Sequence, residues 1–355
     1  MEKNTVSLVL DQDRAQEYQP DLDSPKQRVA FFKRRVALLG SGQLAYELFG
    51  VITGKRWTNL QVIGVVDQYP EHLTPSLHGV EILGSYENLC QVVEQHLVNT
   101  IVVCVEDRRS GFPVKALLDL KARGIEVIDG HQLFEEISGR LSIDQLRPSA
   151  LIFSTGFKRR ILATGLKRII DVVASTMGLI TLAPLLCLIA ILIKLDSHGP
   201  VFYTQMRVGL RGKPFMIWKL RSMHTGAERN GPRWAQANDP RVSRVGRVLR
   251  KLRLDEVPQL FNVIRGDMSL VGPRPERPVF VNELRKVIPY YDIRHTVRPG
   301  LTGWAQTQFR YGANADDAHA KLQYDLYYVK NMRLALDLRI LVKTVRVVLL
   351  GEGAQ

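Results

Sequence analysis

The sequence is poor in cysteine and has no apolar segment at its start. It contains 3 cysteines in 355 residues, and none lies in a Cys-x-x-Cys pair. This pattern argues against a zinc site or a disulfide framework and is typical of a protein in a reducing compartment. The first residues are polar and acidic, so we expect no signal peptide there and interpret residues 1–30 as a loosely ordered arm.

The charge of the chain is divided unevenly between its two halves. Lys and Arg outnumber Asp and Glu by 49 to 35. From residue 151 onward, 33 basic and 15 acidic residues give a net charge of +18, which leaves 16 basic and 20 acidic residues and a net charge of −4 before it. The length is sufficient for two domains. A strongly basic second half is typical of a protein that binds nucleic acid, phospholipid headgroups or phosphorylated substrates.

Strands and helices alternate in residues 31–138, which predicts a Rossmann-like α/β domain with a doubly wound parallel sheet. The first apolar run ends in a Gly-x-Gly-x-x-Ala turn that contains Gly40 and Gly42, and the second run ends at Asp67. These three residues are therefore candidates for binding a dinucleotide. The alternative is that the glycine turn is only architectural, and the lack of nearby residues suited to hydride chemistry favours it.

An uncharged stretch, residues 172–193, follows a predicted connector over residues 139–165. The stretch is long enough to cross the hydrocarbon core of a bilayer. Basic residues flank it on both sides, with Lys167 and Arg168 before it and Lys194 after it. Because cytoplasmic segments are enriched in Lys and Arg, both ends are expected on the cytoplasmic side.

Pro184 lies inside this stretch, where it would remove a helix hydrogen bond and kink the helix. We therefore predict a re-entrant membrane hairpin over residues 167–195, in which helix, break and helix enter one leaflet and return. Asp171, near its start, would pair with Lys167 or Arg168 at the interface. A transmembrane span and a buried core helix are the two alternatives.

Two adjacent carboxylates, Asp255 and Glu256, lie within a basic segment. The nearby cations are Arg250, Lys251, Arg253, Arg265 and Arg274. Phosphoryl transfer requires such a combination, because a carboxylate can attack phosphorus or hold a metal while guanidinium groups neutralise phosphate oxygens. The alternative is an amphipathic helix whose ion pairs are solvated.

Shorter patterns predict the remaining elements of the second half. Residues 201–205 and 214–220 are typical of two strands joined by a Gly/Arg turn, and residues 241–254 of a basic amphipathic helix. The C-terminal segment is also a basic amphipathic helix, which could lie in a membrane interface or close the domain. A lone His295 is more often structural than catalytic.

Several motifs occur together in one order: KRIIDV, GPVFYTQMRVG, KLRSM, LDEVPQLFNVIRGDMSLVGPRPERP and RPGLTGWAQ. From Leu166 to the end, the chain resembles the bacterial sugar transferases of the monotopic phosphoglycosyl transferase superfamily, especially exopolysaccharide-system members, including those of PEP-CTERM gene clusters. The resemblance implies a mainly α-helical catalytic domain over residues 166–355, with a re-entrant helix and interfacial amphipathic helices.

The resemblance also implies a reaction. Sugar-1-phosphate would pass from a UDP-sugar to undecaprenyl phosphate, giving undecaprenyl-diphospho-sugar and UMP. Asp255 would be the nucleophile that forms a phosphoglycosyl-aspartate, and Glu256 its partner, acting on Mg²⁺ or on proton balance, so that both carboxylates are candidate Mg²⁺ ligands. The residues implied to bind phosphates are Lys219, Arg250, Arg274 and Arg298.

The expected location is the cytoplasmic face of the bacterial inner membrane, in contact with one leaflet. We expect a homodimer and no nucleic-acid partner. Two other classes of function stay open: a membrane-attached NAD-dependent oxidoreductase acting through Gly42 and Asp67, and a non-catalytic basic scaffold. The scaffold hypothesis does not explain the acidic pair or the uncharged stretch with its central proline.

Overall fold

The computed structural model describes residues 33–55, 58–70, 76–77, 79–105, 108, 111–143, 154, 156–157, 161–227, 239–309 and 315–349. The predicted N-terminal arm and most of the predicted connector lie outside the described residues. The chain divides into two compact units, of which the first contains residues up to Ser41 and Ile52–Ile128, and the second Gly42–Val51 and Asp129–Gln355.

The first unit is built on a mainly parallel sheet, as the alternation of strands and helices predicts. The strands are β1 (Arg34–Leu39), β2 (Leu60–Asp67), β3 (Ser76–Leu77), β4 (Val80–Ser85), β5 (Thr100–Val103) and β6 (Glu126–Asp129). Their order in the sheet is β3-β4-β2-β1-β5-β6. Strand β1 pairs in parallel with β2 and β5, and β2 with β4, whereas β3 is antiparallel to β4. The strand order therefore reverses at β1, as in a doubly wound fold.

Helices follow these strands along the chain. They are α1 (Gln43–Gly54), most of which falls in the second unit, and α2 (Leu89–Gln95) and α3 (Val114–Ala122) of the first unit. The central strands β1 and β5 are apolar on both faces, which is typical of parallel strands covered on both sides. The core of the unit includes Leu39, Val66, Leu89, Ile101 and Leu120, each at most 1% exposed.

The second unit combines helices with two small sheets. Its elements are α4 (Gly130–Ser138), α5 (Ile161–Asp196), β7 (Phe202–Val208), β8 (Pro214–Leu220), α6 (Arg244–Lys251), α7 (Gln259–Arg265), β9 (Ser269–Val271), α8 (Pro278–Val287), β10 (Gly300–Thr302), α9 (Trp304–Gln308), α10 (Ala315–Lys330) and α11 (Leu334–Leu349). Strands β7 and β8 form the predicted antiparallel hairpin, while β9 and β10 are parallel. The basic helix α6 is shorter than predicted because its N-cap is Ser243.

The segment after α4 packs as part of the second unit. Leu141 and Ile143 are buried in a cluster with Phe280 and Leu326, and the indole nitrogen of Trp304 donates to the Gly139 carbonyl at 2.7 Å. The sequence predicts a connector from residue 139 onward. Its first residues are instead an integral part of this core.

Helix α5 contains the uncharged stretch and is 36 residues long. Its most apolar 18-residue window has a mean hydropathy of 2.5 and is only 11% buried. The buried core helix of a soluble protein is therefore disfavoured. The helix includes Pro184 and does not end there. The predicted break into two helices is thus not confirmed, and the re-entrant path stays a prediction. A proline removes one backbone donor and can kink a helix without terminating it.

The charged residues at the start of α5 make different contacts from those predicted. Asp171 does not pair with Lys167 or Arg168. Its carboxylate accepts from the Ser269 hydroxyl at 2.7 Å and the Leu270 amide at 3.2 Å. Lys167 pairs at 2.9 Å with Asp337, a residue 170 positions away, so its partner could not be read from local sequence.

Arginine side chains bind the exposed carbonyl groups at the ends of helices. Arg168 donates to the carbonyls of Val263 and Ile264 at 2.6 and 2.8 Å, at the C-terminus of α7. The last carbonyls of a helix have no partner within it, and the helix dipole favours a cation there. Arg221 acts similarly beyond the end of α5, donating to the Ser197 carbonyl at 2.6 Å.

Replacing Arg168 with Met should therefore destabilise the second unit. The change removes the guanidinium donors from both carbonyl groups at the end of α7, of which only that of Val263 keeps a backbone donor, the Gly266 amide at 3.1 Å. The expected cost is about 1.5–3 kcal/mol. Thermal unfolding in detergent measures this cost. The control is Arg265→Met on the same helix, whose side chain is 65% exposed. Equal melting temperatures for the two variants would contradict the assignment.

Candidate active site

Asp255 and Glu256 lie in a tight turn between two helices. Helix α6 ends at Lys251, Arg253 adopts a left-handed conformation with φ of 59°, and Leu254–Glu256 form a single 3₁₀ turn before α7. The reversal at Arg253 turns the chain inward, so both carboxylates are buried, at 7% and 8% exposure. They are therefore not the solvated ion pairs of an amphipathic helix.

Glu256 is held by two cations. Its Oε1 accepts from Lys219 Nζ at 2.9 Å and from Arg274 Nη2 at 2.6 Å, and its Oε2 lies 3.4 Å from Arg274 Nη1. Burial raises the pKa of this carboxyl, but the Arg274 guanidinium and the Lys219 ammonium outweigh burial and hold the pKa well below its usual range. Glu256 is therefore an anion across the physiological pH range.

Asp255 has the opposite environment. No described residue donates a hydrogen bond to its carboxylate. Burial raises its pKa, the Lys219 charge opposes that rise, and the Glu256 charge adds to it, with a net shift upward. Adjacent carboxyl groups whose pKa values are pushed apart have different chemical roles. Here Glu256 is a fixed anion, and Asp255 keeps its oxygen lone pairs available.

A buried asparagine places Lys219 beside Glu256. Asn262 is 0% exposed, and its side chain donates to the Met216 carbonyl at 2.8 Å and accepts from the Trp218 amide at 3.0 Å. These two bonds join α7 to strand β8, which carries Lys219. Asn262 is not among the residues predicted from the sequence, although a single amide within the apolar run LFNVI is a signal for a buried polar contact.

Arg250 is held near the pair by the packing of α6 against the segment that follows β8. Its Nε donates to the Ser222 hydroxyl at 3.0 Å, and its charge lowers the pKa of Asp255. Helix α6 approaches Ser222 so closely that a Cβ on Gly246 would lie 2.0 Å from the Ser222 carbonyl oxygen. Only glycine fits at position 246, which the sequence analysis also missed.

Arg298 lies elsewhere. Its Nε donates to the Gly266 carbonyl at 3.0 Å, just beyond the end of α7. It lines a cavity of about 90 Å³ together with Lys167, Arg168 and Asp171. Asp255 and Glu256 precede the opposite end of α7. The structure therefore brings Lys219, Arg250 and Arg274 to the carboxylates but does not bring Arg298 there, because Arg298 contributes to the C-terminal cap of that helix.

The candidate dinucleotide residues have structural roles in the glycine turn. Gly40 has a φ of +99°, and a Cβ there would lie 3.0 Å from the Val105 side chain. The two carboxylate oxygens of Asp67 accept from the Ser41 and Tyr69 amides at 2.8 and 3.1 Å. The Gly42 carbonyl accepts the first amide bonds of α1. These contacts favour the architectural interpretation, and the dinucleotide site stays a prediction.

Two carboxylates form a partial site for a hard cation. Mg²⁺ prefers oxygen ligands and is usually held by one or two carboxylates together with substrate phosphates and water. The unpartnered Asp255 oxygens fit that requirement, as does Glu256 Oε2, which has only its longer contact to Arg274. Among the described residues, no group of three or more His, Cys, Asp or Glu side chains could hold a metal.

Comparison with known proteins identifies the family. The bacterial sugar transferase family model matches residues 162–351, more than half of the chain, and the chain belongs to this family. The undecaprenyl-phosphate glucose phosphotransferase of Komagataeibacter xylinus is 34% identical over 324 residues, covering 88% of this chain and 58% of the relative.

Two further relatives have similar names. The UDP-glucose:undecaprenyl-phosphate glucose-1-phosphate transferase of Escherichia coli K12 is 32% identical over 326 residues, covering 88% of this chain and 67% of the relative. A UDP-N-acetylgalactosamine-undecaprenyl-phosphate N-acetylgalactosaminephosphotransferase of Aeromonas hydrophila is 46% identical over 224 residues, covering 63% of this chain and 52% of the relative. The alignments thus span 52% to 67% of these three relatives' lengths.

The environment of Asp255 predicts how its pKa responds to its neighbours. Lys219→Met should raise the pKa further, because it removes a cation that lowers it, whereas Glu256→Gln should lower the pKa by removing a neighbouring anion. Carboxyl ¹³C NMR of aspartate-labelled protein measures both shifts, with Asp255→Asn to assign the signal and Arg265→Met as a remote control. Shifts of the same sign in the two variants would contradict this electrostatic account.

Proposed function

We propose that this chain transfers sugar-1-phosphate from a UDP-sugar to undecaprenyl phosphate and releases UMP, as the first membrane step of exopolysaccharide synthesis. The observation that carries the proposal is the unequal pair of buried carboxylates. Glu256 is neutralised by two cations, while Asp255 has no hydrogen-bond donor among the described residues. The names of the relatives support the same reaction class.

The reaction proceeds in two displacements at phosphorus. An Asp255 carboxylate oxygen attacks the sugar-linked phosphorus, and the bond from that phosphorus to the UMP oxygen breaks, with the electron pair leaving on UMP. An oxygen of undecaprenyl phosphate then attacks the same phosphorus, and the bond to Asp255 breaks and restores the carboxylate. The covalent intermediate lets the first anion depart before the second arrives, so the two substrates never repel each other at one site.

The cations around the pair stabilise charge on phosphate oxygens. Lys219 and Arg274 hold Glu256 in the free protein, and ammonium and guanidinium groups are strong donors to phosphate oxygens. Arg250 adds a third positive charge near Asp255. Mg²⁺ bound by Asp255, Glu256 and the donor diphosphate would supply additional charge neutralisation.

The exposed apolar surface of α5 supports attachment to a membrane. The same compact unit contacts this helix near both ends of its uncharged stretch, through Asp171 at the start and through Ile189 and Ile193 near the end. The helix between Asp171 and Ile189 is about 27 Å long, close to the thickness of a hydrocarbon core. If this helix spanned a bilayer, the second unit would have to contact it on both sides of the membrane, which its charged surface does not allow. These contacts therefore favour a helix that enters one leaflet, and the basic residues on both flanks favour the cytoplasmic face of the inner membrane.

Replacing Asp255 with Asn should abolish transfer. The variant keeps the volume of the side chain but removes the nucleophile, so the rate should fall about 10³-fold or more. The assay is UMP release by detergent-solubilised protein with Mg²⁺ and undecaprenyl phosphate, with UDP-glucose and UDP-N-acetylgalactosamine as donors. Asp119→Asn, on the exposed surface of α3, is the control. Transfer retained by the Asp255 variant would refute its role as the nucleophile.

Labelling of single cysteines tests the re-entrant path. The three natural cysteines are replaced with serine, and one cysteine is introduced at Gly165 or at Leu195, two exposed positions near opposite ends of α5. A membrane-impermeant maleimide should label both positions in inverted vesicles and neither in right-side-out spheroplasts. Labelling of the two positions from opposite sides would establish a transmembrane span instead.

The resemblance also implies a homodimer, which light scattering of the detergent-solubilised protein would measure. The dimer is independent of the chemistry at Asp255, so a monomer would not affect the proposed reaction.

A further inference from the structure

The segment that presents Arg274 to Glu256 is fixed through its carbonyl groups. Pro273 and Pro275 have no backbone N–H, so this segment has few donors of its own. Each of the four consecutive carbonyls from Pro273 to Glu276 accepts a hydrogen bond. The donors, in order, are the Gly300 amide at 2.9 Å, Arg294 Nη2 at 2.9 Å, Arg207 Nη1 at 3.0 Å and the Val208 amide at 2.9 Å.

The bond to the Arg274 carbonyl comes from the most deeply buried ion pair around this segment. The side chains of Arg294 and Asp325 are 7% and 3% exposed, and Arg294 Nη2 lies 2.8 Å from the Asp325 carboxylate. Arg294 Nη1 also donates to the Tyr291 hydroxyl at 2.6 Å. A single Nη2 nitrogen therefore links a buried carboxylate to the backbone of Arg274, while Tyr291 fixes the other arm of the guanidinium.

A buried ion pair is weak evidence for stability, because the desolvation of both charges offsets their attraction. Its effect on geometry is more direct here. The Arg274 guanidinium donates at 2.6 Å to Glu256 Oε1, and its backbone carbonyl is the acceptor for Arg294. A small displacement of this backbone would move the guanidinium away from Glu256 and from any phosphate held there. Displacements of about 1 Å can reduce turnover about 100-fold.

We propose that Arg294, held by Asp325 and Tyr291, is a positioning residue that fixes the Arg274 guanidinium in the active site. The proposal rests on the proposed transferase function. Arg294 acts through the Arg274 backbone and contacts neither carboxylate of the pair. Arg294 could not be identified from the sequence, because nothing in its local pattern distinguishes it from the other arginines of this basic half.

A double-mutant cycle tests this coupling. Arg294→Lys keeps the charge beside Asp325 but removes the planar fork that reaches Asp325, Tyr291 and the Arg274 carbonyl together. We expect kcat/KM for sugar-phosphate transfer to fall about 10- to 100-fold. The loss should divide between kcat and KM in the same proportion as the loss in Arg274→Lys. In the Arg274→Lys background, the Arg294 change should cost less than about 2-fold, because the group that it positions is already lost.

Tyr291→Phe is a milder second variant, which loses only the hydroxyl and keeps the test decisive if Arg294→Lys does not fold. It should show a smaller loss of kcat/KM, which also disappears in the Arg274→Lys background.

The matched control is Glu135→Gln, which breaks another buried ion pair of the same unit, that of Glu135 with Lys330. This control should lower the melting temperature without coupling to Arg274. A loss of transfer that persists fully in the Arg274→Lys background would overturn the proposal.

Hydrogen exchange supplies a readout that does not depend on activity. The Val208 and Gly300 amides donate to the two ends of the anchored segment. Both should exchange faster in Arg294→Lys, or in Tyr291→Phe, than in the wild type and in Glu135→Gln. Unchanged exchange would overturn the positioning role. If the wild-type protein transfers no sugar phosphate, the proposed function fails, and the exchange rates still decide whether Arg294 fixes the Arg274 segment.

Discussion

Two neighbouring carboxylates buried in one turn repel each other, and the second unit resolves this repulsion by neutralising only one of them. Lys219 and Arg274 both bind Glu256, so that carboxylate is ionised despite its burial. Asp255 lacks such donors among the described residues, and its pKa is raised. The arrangement leaves one carboxylate available for reaction beside a preformed cationic site, and the elements that carry Lys219 and Arg274 must be held in place for it to persist.

Much of the positive charge in this half of the chain supports the backbone. Among the described residues of this half, six arginines donate to main-chain carbonyls, and these are Arg168, Arg207, Arg221, Arg241, Arg294 and Arg298. Some cap helix ends, and others fix the segment that carries Arg274. The net charge of this half indicates an anionic partner, yet the described cations that act on the pKa of Asp255 are Lys219, Arg250 and Arg274. Charge counted along a sequence thus overstates the number of groups available to a ligand.

Local patterns predicted the elements of the fold better than their contacts. The parallel sheet and the β7–β8 hairpin follow from alternating apolar residues and turn signals, which depend on neighbours in sequence. The partners of Lys167 and Asp171 lie about 100 or more residues away, so the predicted local pair was wrong. Of the four predicted phosphate-binding residues, three lie near Asp255, and Arg298 is instead used to cap α7. Asn262 and Gly246 were missed because their roles arise only when α6 and α7 pack against the segment that includes β8 and Ser222.

The most direct test of the account is a mass measurement of the protein mixed with a UDP-sugar and Mg²⁺ in the absence of undecaprenyl phosphate. We predict release of UMP and an added mass of one sugar phosphate on the peptide that contains Asp255. This adduct should disappear when undecaprenyl phosphate is supplied. An adduct on another residue would contradict the account. So would transfer to the lipid by a protein that forms no adduct under any condition.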